Sequence, residues 1–137
     1  MSAQVYIRTV EAQGQTIRVT GGITLTGSYV AGGDPLNFTG GGTLPALQDP
    51  AFVGLIPAAI SSNLTDLTVA SQGGNLVNNF VATLTKTGTP ATCNPATGAK
   101  LKLCAASTFG TEFSAGAYSA ALLADNITFE ATFIKLL

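Results

Sequence analysis

The sequence predicts an all-β fold: an antiparallel β-sandwich or jelly-roll-like single domain over residues 1–137, with little helix. Three observations carry this expectation. Turn-forming residues recur along the chain, at Gly14, Gly21-Gly22, Gly32-Gly33-Asp34-Pro35, Gly40-Gly41-Gly42, Gly73-Gly74-Asn75, Gly88, Asn94-Pro95, Gly98, Gly110 and Asp125-Asn126. The runs between them are short and rich in Thr, Val, Ile, Leu and Phe, which suit a pleated sheet. Within those runs apolar and polar residues alternate, the period of a strand buried on one side.

Taken in order, residues 5–10 read as an N-terminal strand. Ile17 and Val19 oppose Thr16, Arg18 and Thr20; after the expected turn at Gly21-Gly22, Ile23 and Leu25 oppose Thr24 and Thr26. Residues 32–42 read as a long loop. Asp49-Pro50 places an N-cap residue before a proline, which predicts a short helical turn over 51–56 ended by Pro57. Strands follow over 64–70 and 76–85, the second with Phe80, Ala82 and Leu84 inward. Residues 87–98 read as a second long loop. Leu101 and Leu103 oppose Lys100 and Lys102. The Ala- and Leu-rich stretch 118–124 is too short to hold a helix alone and reads as an irregular bridge. The last strand is the clearest: Ile127, Phe129, Ala131 and Phe133 share one face, and Thr128, Glu130 and Thr132 the other. Without crossover helices between the runs, antiparallel pairing is expected.

The chain has 137 residues, and its size predicts that roughly two thirds of its surface is buried on folding, enough for a core. Charged residues make up 9% of it and hydrophobic residues 46%, with a net charge of −1, a balance that excludes intrinsic disorder. Six Lys and Arg spread along the chain give no electrostatic footprint for nucleic acid. The longest apolar stretch, 44–60, is broken by Pro45, Asp49, Pro50, Gly54 and Pro57, so no membrane span is expected. Met1-Ser2-Ala3-Gln4 lacks the basic-then-apolar pattern of a secretory signal, which predicts synthesis in the cytoplasm. A mean hydropathy of +0.39 with so little charge predicts a surface largely covered by partners, or else a neutral, hydrated Thr- and Ala-rich one.

Chemistry-bearing patterns are sparse. The absence of His removes the commonest general base and metal ligand. The carboxylates Glu11, Asp34, Asp49, Asp66, Glu112, Asp125 and Glu130 fall mostly at turns, so no glycosidase pair is expected. The glycine runs lack the P-loop ending and the dinucleotide setting. No catalytic, cofactor or metal site is therefore expected. Three sequons begin at Asn37, Asn63 and Asn126 and carry no weight without a signal peptide. Cys93 and Cys104 flank the turn signal Asn94-Pro95-Ala96-Thr97-Gly98. If 87–93 and 100–104 run back along each other, a disulfide is allowed; the alternative is two reduced, half-buried thiols.

The last third of the chain resembles a known family. Gly98-Ala99-Lys100-Leu101-Lys102-Leu103, Gly110-Thr111-Glu112-Phe113, Ala115-Gly116-Ala117-Tyr118, Ala124-Asp125-Asn126-Ile127-Thr128-Phe129 and the ending Phe133-Ile134-Lys135-Leu136-Leu137 follow one another in the order found in small head decoration, or cement, proteins of tailed bacteriophages. Gly33-Asp34-Pro35-Leu36-Asn37-Phe38-Thr39 is a weaker upstream match. Ala99, inserted between Gly98 and Lys100, and the two cysteines depart from the pattern. The resemblance implies a virion structural protein without enzymatic activity or cofactor, bound outside the shell of the major capsid protein and to neighbouring copies of itself. The alternatives are a tail, neck or minor capsid component, and a carbohydrate-binding β-sandwich; the absence of Trp and the presence of only 3 Tyr count against the last.

The partner surface is expected within 44–60. Leu44, Leu47, Phe52, Val53, Leu55 and Ile56 form an apolar but irregular segment. Irregular segments run over the surface, and a large wet apolar patch is unfavourable. The segment therefore either closes one end of the sandwich or packs on a neighbouring subunit or the capsid; the low charge of the chain favours the second.

Overall fold

The computed structural model describes residues 3–26, 28–39, 44–51, 63–71, 78–89, 91–105, 116–117 and 127–134, and these contain strands and turns but no helix. The strands are β1 (Ala3–Gln13), β2 (Thr16–Leu25), β3 (Ser28–Tyr29), β4 (Asp34–Leu36), β5 (Leu47–Gln48), β6 (Asn63–Ser71), β7 (Asn78–Leu84), β8 (Lys86–Thr87), β9 (Thr92–Cys93), β10 (Ala99–Ala105), β11 (Gly116–Ala117) and β12 (Ile127–Ile134). A seven-stranded sheet runs β5-β1-β2-β12-β6-β9-β8; a three-stranded sheet runs β4-β10-β7; β11 pairs with β3. Pairing is antiparallel except between β5 and β1. The fold is all-β and sandwich-like. The small sheet lies over the large one, with β4 against β1 and β7 against β6.

The alternation of the sequence becomes the inner face. Ile127, Phe129, Ala131 and Phe133 of β12, Ile17, Val19, Ile23 and Leu25 of β2, and Leu101 and Leu103 of β10 are all buried in one core cluster. Ala82 and Leu84 pack against it, as the pattern predicts; the side chain of Phe80 lies outside the described residues. Phe38, fully buried beyond the end of β4, joins the layers. Its ring meets Phe129 edge-on at 5.2 Å and Phe133 at 6.1 Å. Such pairs add to the area they bury. The Leu103 N–H donates to Tyr29 Oη at 3.2 Å, which ties β3 to the small sheet.

Several expectations are corrected. Gly21-Gly22 is no turn: β2 runs unbroken through it. Gly21 faces inward opposite Phe129, and a Cβ there would run into the carbonyl oxygen of Tyr6 and lie 2.8 Å from the Phe129 ring. The glycine is a close approach, not a bend. The long loops 32–42 and 87–98 contain short strands, β4 in the first and β9 in the second, and the second begins on the last residue of β8. Pro35 fits in β4 because β4 is an edge strand. Cys93 and Cys104 are both free and buried. The condition for a bridge fails because 93–99 is not a hairpin turn: β9 pairs with β6 and β8 in the large sheet, β10 with β4 and β7 in the small one. The turn carries the chain between layers. The helical turn expected at 51–56 lies almost wholly outside the described residues, as does the bridge 118–124.

Candidate functional site: a strapped edge and the outer sheet face

Two of the six expected partner residues are described. Leu44 is half-buried, with the backbone in the left-handed region at φ 48°, and Leu47 is 46% exposed. Phe52, Val53, Leu55 and Ile56 lie outside the described residues. Leu47 belongs to β5, which the sequence did not predict, since two residues show no alternation.

Residues 45–49 strap this edge of the large sheet. Tyr6 and Ile7 pair with Leu47 and Gln48 in parallel register. The Asp49 N–H donates to Ile7 O at 2.8 Å, Gln4 Nε2 to Pro45 O at 2.8 Å, and Gln48 Nε2 to Ile7 O at 3.1 Å. Ala46 is buried beneath, while Leu47 points outward. The strap thus covers an edge that would otherwise template pairing with other chains, and presents a leucine on its outside.

Beside the strap, β1 carries a bulge. Ile7 pairs with Gly21 but Thr9 with Thr20, so Arg8 has no opposite residue on β2. Alternation already places Arg8 on the outer face; the bulge leaves Thr9 beside it there and returns Val10 toward the core. Its Nε donates to Asp49 Oδ2 at 3.0 Å. Asp49 Oδ1 accepts from the Ala51 N–H at 3.0 Å, the local bond expected from Asp before proline. That backbone bond first, and Arg8 second, hold the Asp49 carboxyl below its ordinary pKa. The guanidinium lies over Gly22: a Cβ there would be 3.0 Å from Arg8 Nη2. Tyr6, Arg8, Gly22, Thr24, Asp49 and Pro50 line a cleft of about 230 Å³ here.

The remaining outer face is ordered by register. One row across the strands is Tyr6, Gly22, Thr128 and Ala70; the next is Thr9, Thr20, Glu130 and Thr68; a third is Glu11, Arg18, Thr132 and Asp66. Arg18 meets Glu130 through two hydrogen bonds of 2.9 Å and lies 3.6 Å from Glu11. The hydrogen bond with Arg18 lowers the pKa of Glu130 and raises that of Arg18. The face is therefore hydroxyl-rich, with both of its arginines engaged by carboxylates.

Elsewhere, Cys93 sits beneath Gly98, where a Cβ would collide with its sulfur, and burial raises its pKa. Among the described residues no three His, Cys, Asp or Glu gather as a metal-ligand set. No helix of the described residues is long and apolar enough to cross a membrane. The Arg8–Asp49 pair, 41 positions apart, has no signal in the sequence, and neither has the bulge at Arg8. Comparison with protein-family models, with curated proteins and with solved structures found no match.

Proposed function

We propose that this chain is a virion structural protein: a head decoration, or cement, protein of a tailed bacteriophage that binds the outside of the major capsid shell. The reading rests on the ordered resemblance of residues 98–137. Two of its pieces coincide with β10 and β12, the central strand of the small sheet and an inner strand of the large one. The family pattern thus falls on residues that build both layers.

On this reading the chain has no catalytic step and no cofactor. Its function is contact area. The partners are the major capsid protein and neighbouring copies, and the contact begins at the strap, where Leu47 stands 46% exposed beside the segment carrying Phe52, Val53, Leu55 and Ile56. Binding the assembled shell and not its free subunits stabilises the assembly by mass action. Repetition over many symmetry-related sites adds avidity.

The test is immunogold labelling of purified virions with antibody to this chain, combined with mass spectrometry of the particles. The expected result is label over the head, at a copy number comparable to that of the capsid protein. Label confined to the tail or neck supports the other virion components; its absence from particles refutes the assignment.

A further inference from the structure

The charges of the described residues are divided between the two sheets. Lys100 and Lys102 stand on the outer face of the small sheet, in the rows Pro35–Lys100–Thr83 and Lys102–Val81. Lys86, at the edge of the large sheet, pairs with buried Cys93 and so projects from the inner side, toward the small sheet. Among the described residues none of these lysines has a carboxylate within ion-pair distance, and Asp34 of the neighbouring β4 is turned into the core. The next outward residue of β10, Cys104, is buried, so the open part of this face is its Lys100–Lys102 end. The outer face of the large sheet has the opposite sign: Glu11, Asp49, Asp66 and Glu130 stand there against Arg8 and Arg18. Arg18 is shared by two carboxylates, and Asp66 has no cation within ion-pair distance among the described residues.

We propose that the lysine face of the small sheet docks, head to tail, on the carboxylate-bearing outer face of the large sheet of a second copy of this chain. Charge complementarity selects the occupant, because the chain itself carries the matching surface. Lys100 and Lys102 are two residues apart on one strand, about 7 Å. Glu130 and Asp66 are diagonal neighbours on β12 and β6, about 7–8 Å apart, so one pair can meet the other. The residues around both pairs are neutral and mostly small, Pro35, Val81 and Thr83 on one face and Thr20, Thr68 and Thr132 on the other, and leave room for close approach. Like faces repel, so a twofold dimer through either face is disfavoured; unlike faces leave one of each free, and the contact repeats from copy to copy. A nucleic acid is disfavoured, since both arginines are engaged by carboxylates and three lysines make a weak footprint. The contact needs no capsid, so the free chain tests it apart from the proposed function.

The test is sedimentation velocity of the full chain over a range of concentrations, in low salt (about 20 mM) and high salt (about 0.5 M). The parent chain should self-associate in low salt and dissociate in high salt. Lys100→Glu with Lys102→Glu reverses one face, and Glu11→Lys with Asp66→Lys the other; each double variant alone should associate roughly tenfold more weakly or worse. Mixed in equal amounts, the two should associate again, because each supplies the face that the other lacks. The melting temperature of each variant is measured first. If a reversal variant does not fold, the neutral pairs Lys100→Gln with Lys102→Gln and Glu11→Gln with Asp66→Asn decide, and each should weaken association as well. A parent chain that stays monomeric in low salt overturns the proposal. So does association that salt leaves unchanged, variants that associate as the parent does, or a mixture that does not recover. Binding of heparin without self-association would make the partner a polyanion and overturns it equally.

Discussion

The two faces of the seven-stranded sheet come from the same strands, residue by residue, and obey different rules. On the inner face each position is fixed by volume. On the outer face it is fixed by hydrogen-bonding character and by pairing of charge. The neighbours Gly21 and Gly22 show the difference. Both are glycine, in one strand, in ordinary extended conformation. Gly21 faces a backbone oxygen and an aromatic ring that cannot move aside, whereas Gly22 faces the far end of a flexible arginine. The same residue type is a packing requirement on one side and a shaped recess on the other.

The largest break in that comparison comes from Phe129 and Thr128. Phe129→Ala should destabilise the protein by about 3–5 kcal/mol through the cavity it leaves and the lost ring contact with Phe38. Thr128→Ala, one residue along on the other face, should change stability by about 0.5 kcal/mol or less. Chemical denaturation of both variants measures the pair, and equal costs would show that the faces are inverted.

The glycine pair sharpens it. Gly21→Ala should cost about 3 kcal/mol, since the new methyl group collides with the Tyr6 carbonyl and the Phe129 ring. Gly22→Ala should cost less than about 1 kcal/mol, because Arg8 can shift by a few tenths of an ångström.

The charges on the outer face predict a smaller, pH-dependent effect. The folded-state pKa of Asp49 is depressed. Its contribution to stability is therefore present above the unfolded-state value of about 4 and is lost as pH falls through the lower folded value. Asp49→Asn should lower the melting temperature at pH 7, and the gap to the parent chain should narrow as pH falls below the unfolded-state value of about 4. A gap independent of pH would mean that the side chain acts through shape alone. The smallest effect belongs to Glu130→Gln. Its partner Arg18 is exposed and screened, so the melting temperature should be unchanged in high salt.

Legibility in the sequence divides along the same line. The inner face could be read because burial imposes a period of two: β12 follows it throughout, as do Ile17, Val19, Ile23 and Leu25 of β2 and Leu101 and Leu103 of β10, while Gly22 and Cys104 are buried out of phase. Gly21-Gly22 misled because glycine marks both turns and close approaches, and only the partner strand distinguishes them. β4, β5, β8 and β9 are two or three residues long, below the length at which alternation can be recognised. Of the two alternatives for Cys93 and Cys104, the bridge needs a local hairpin where the chain instead changes sheets, and the thiols are free. The strap and the Arg8–Asp49 pair join residues 41 positions apart, a separation that leaves no trace in local pattern. Leu44 and Leu47 stand out in the sequence as apolar residues of an irregular segment, and the structure leaves Leu44 half-buried and Leu47 exposed.

On the proposed function the strap edge meets the capsid shell. The most direct measurement is co-sedimentation of purified chain with heads assembled from major capsid protein alone, using the parent chain, Leu47→Ser, and the double variant Phe52→Ser with Leu55→Ser, beside the melting temperature of each free protein. The parent should bind, and the variants should lose occupancy while their melting temperatures change little. A parent chain that stays in the supernatant, or variants that bind normally, would contradict it. A large fall in the melting temperature of the double variant would place Phe52 and Leu55 in the core and the capsid contact elsewhere.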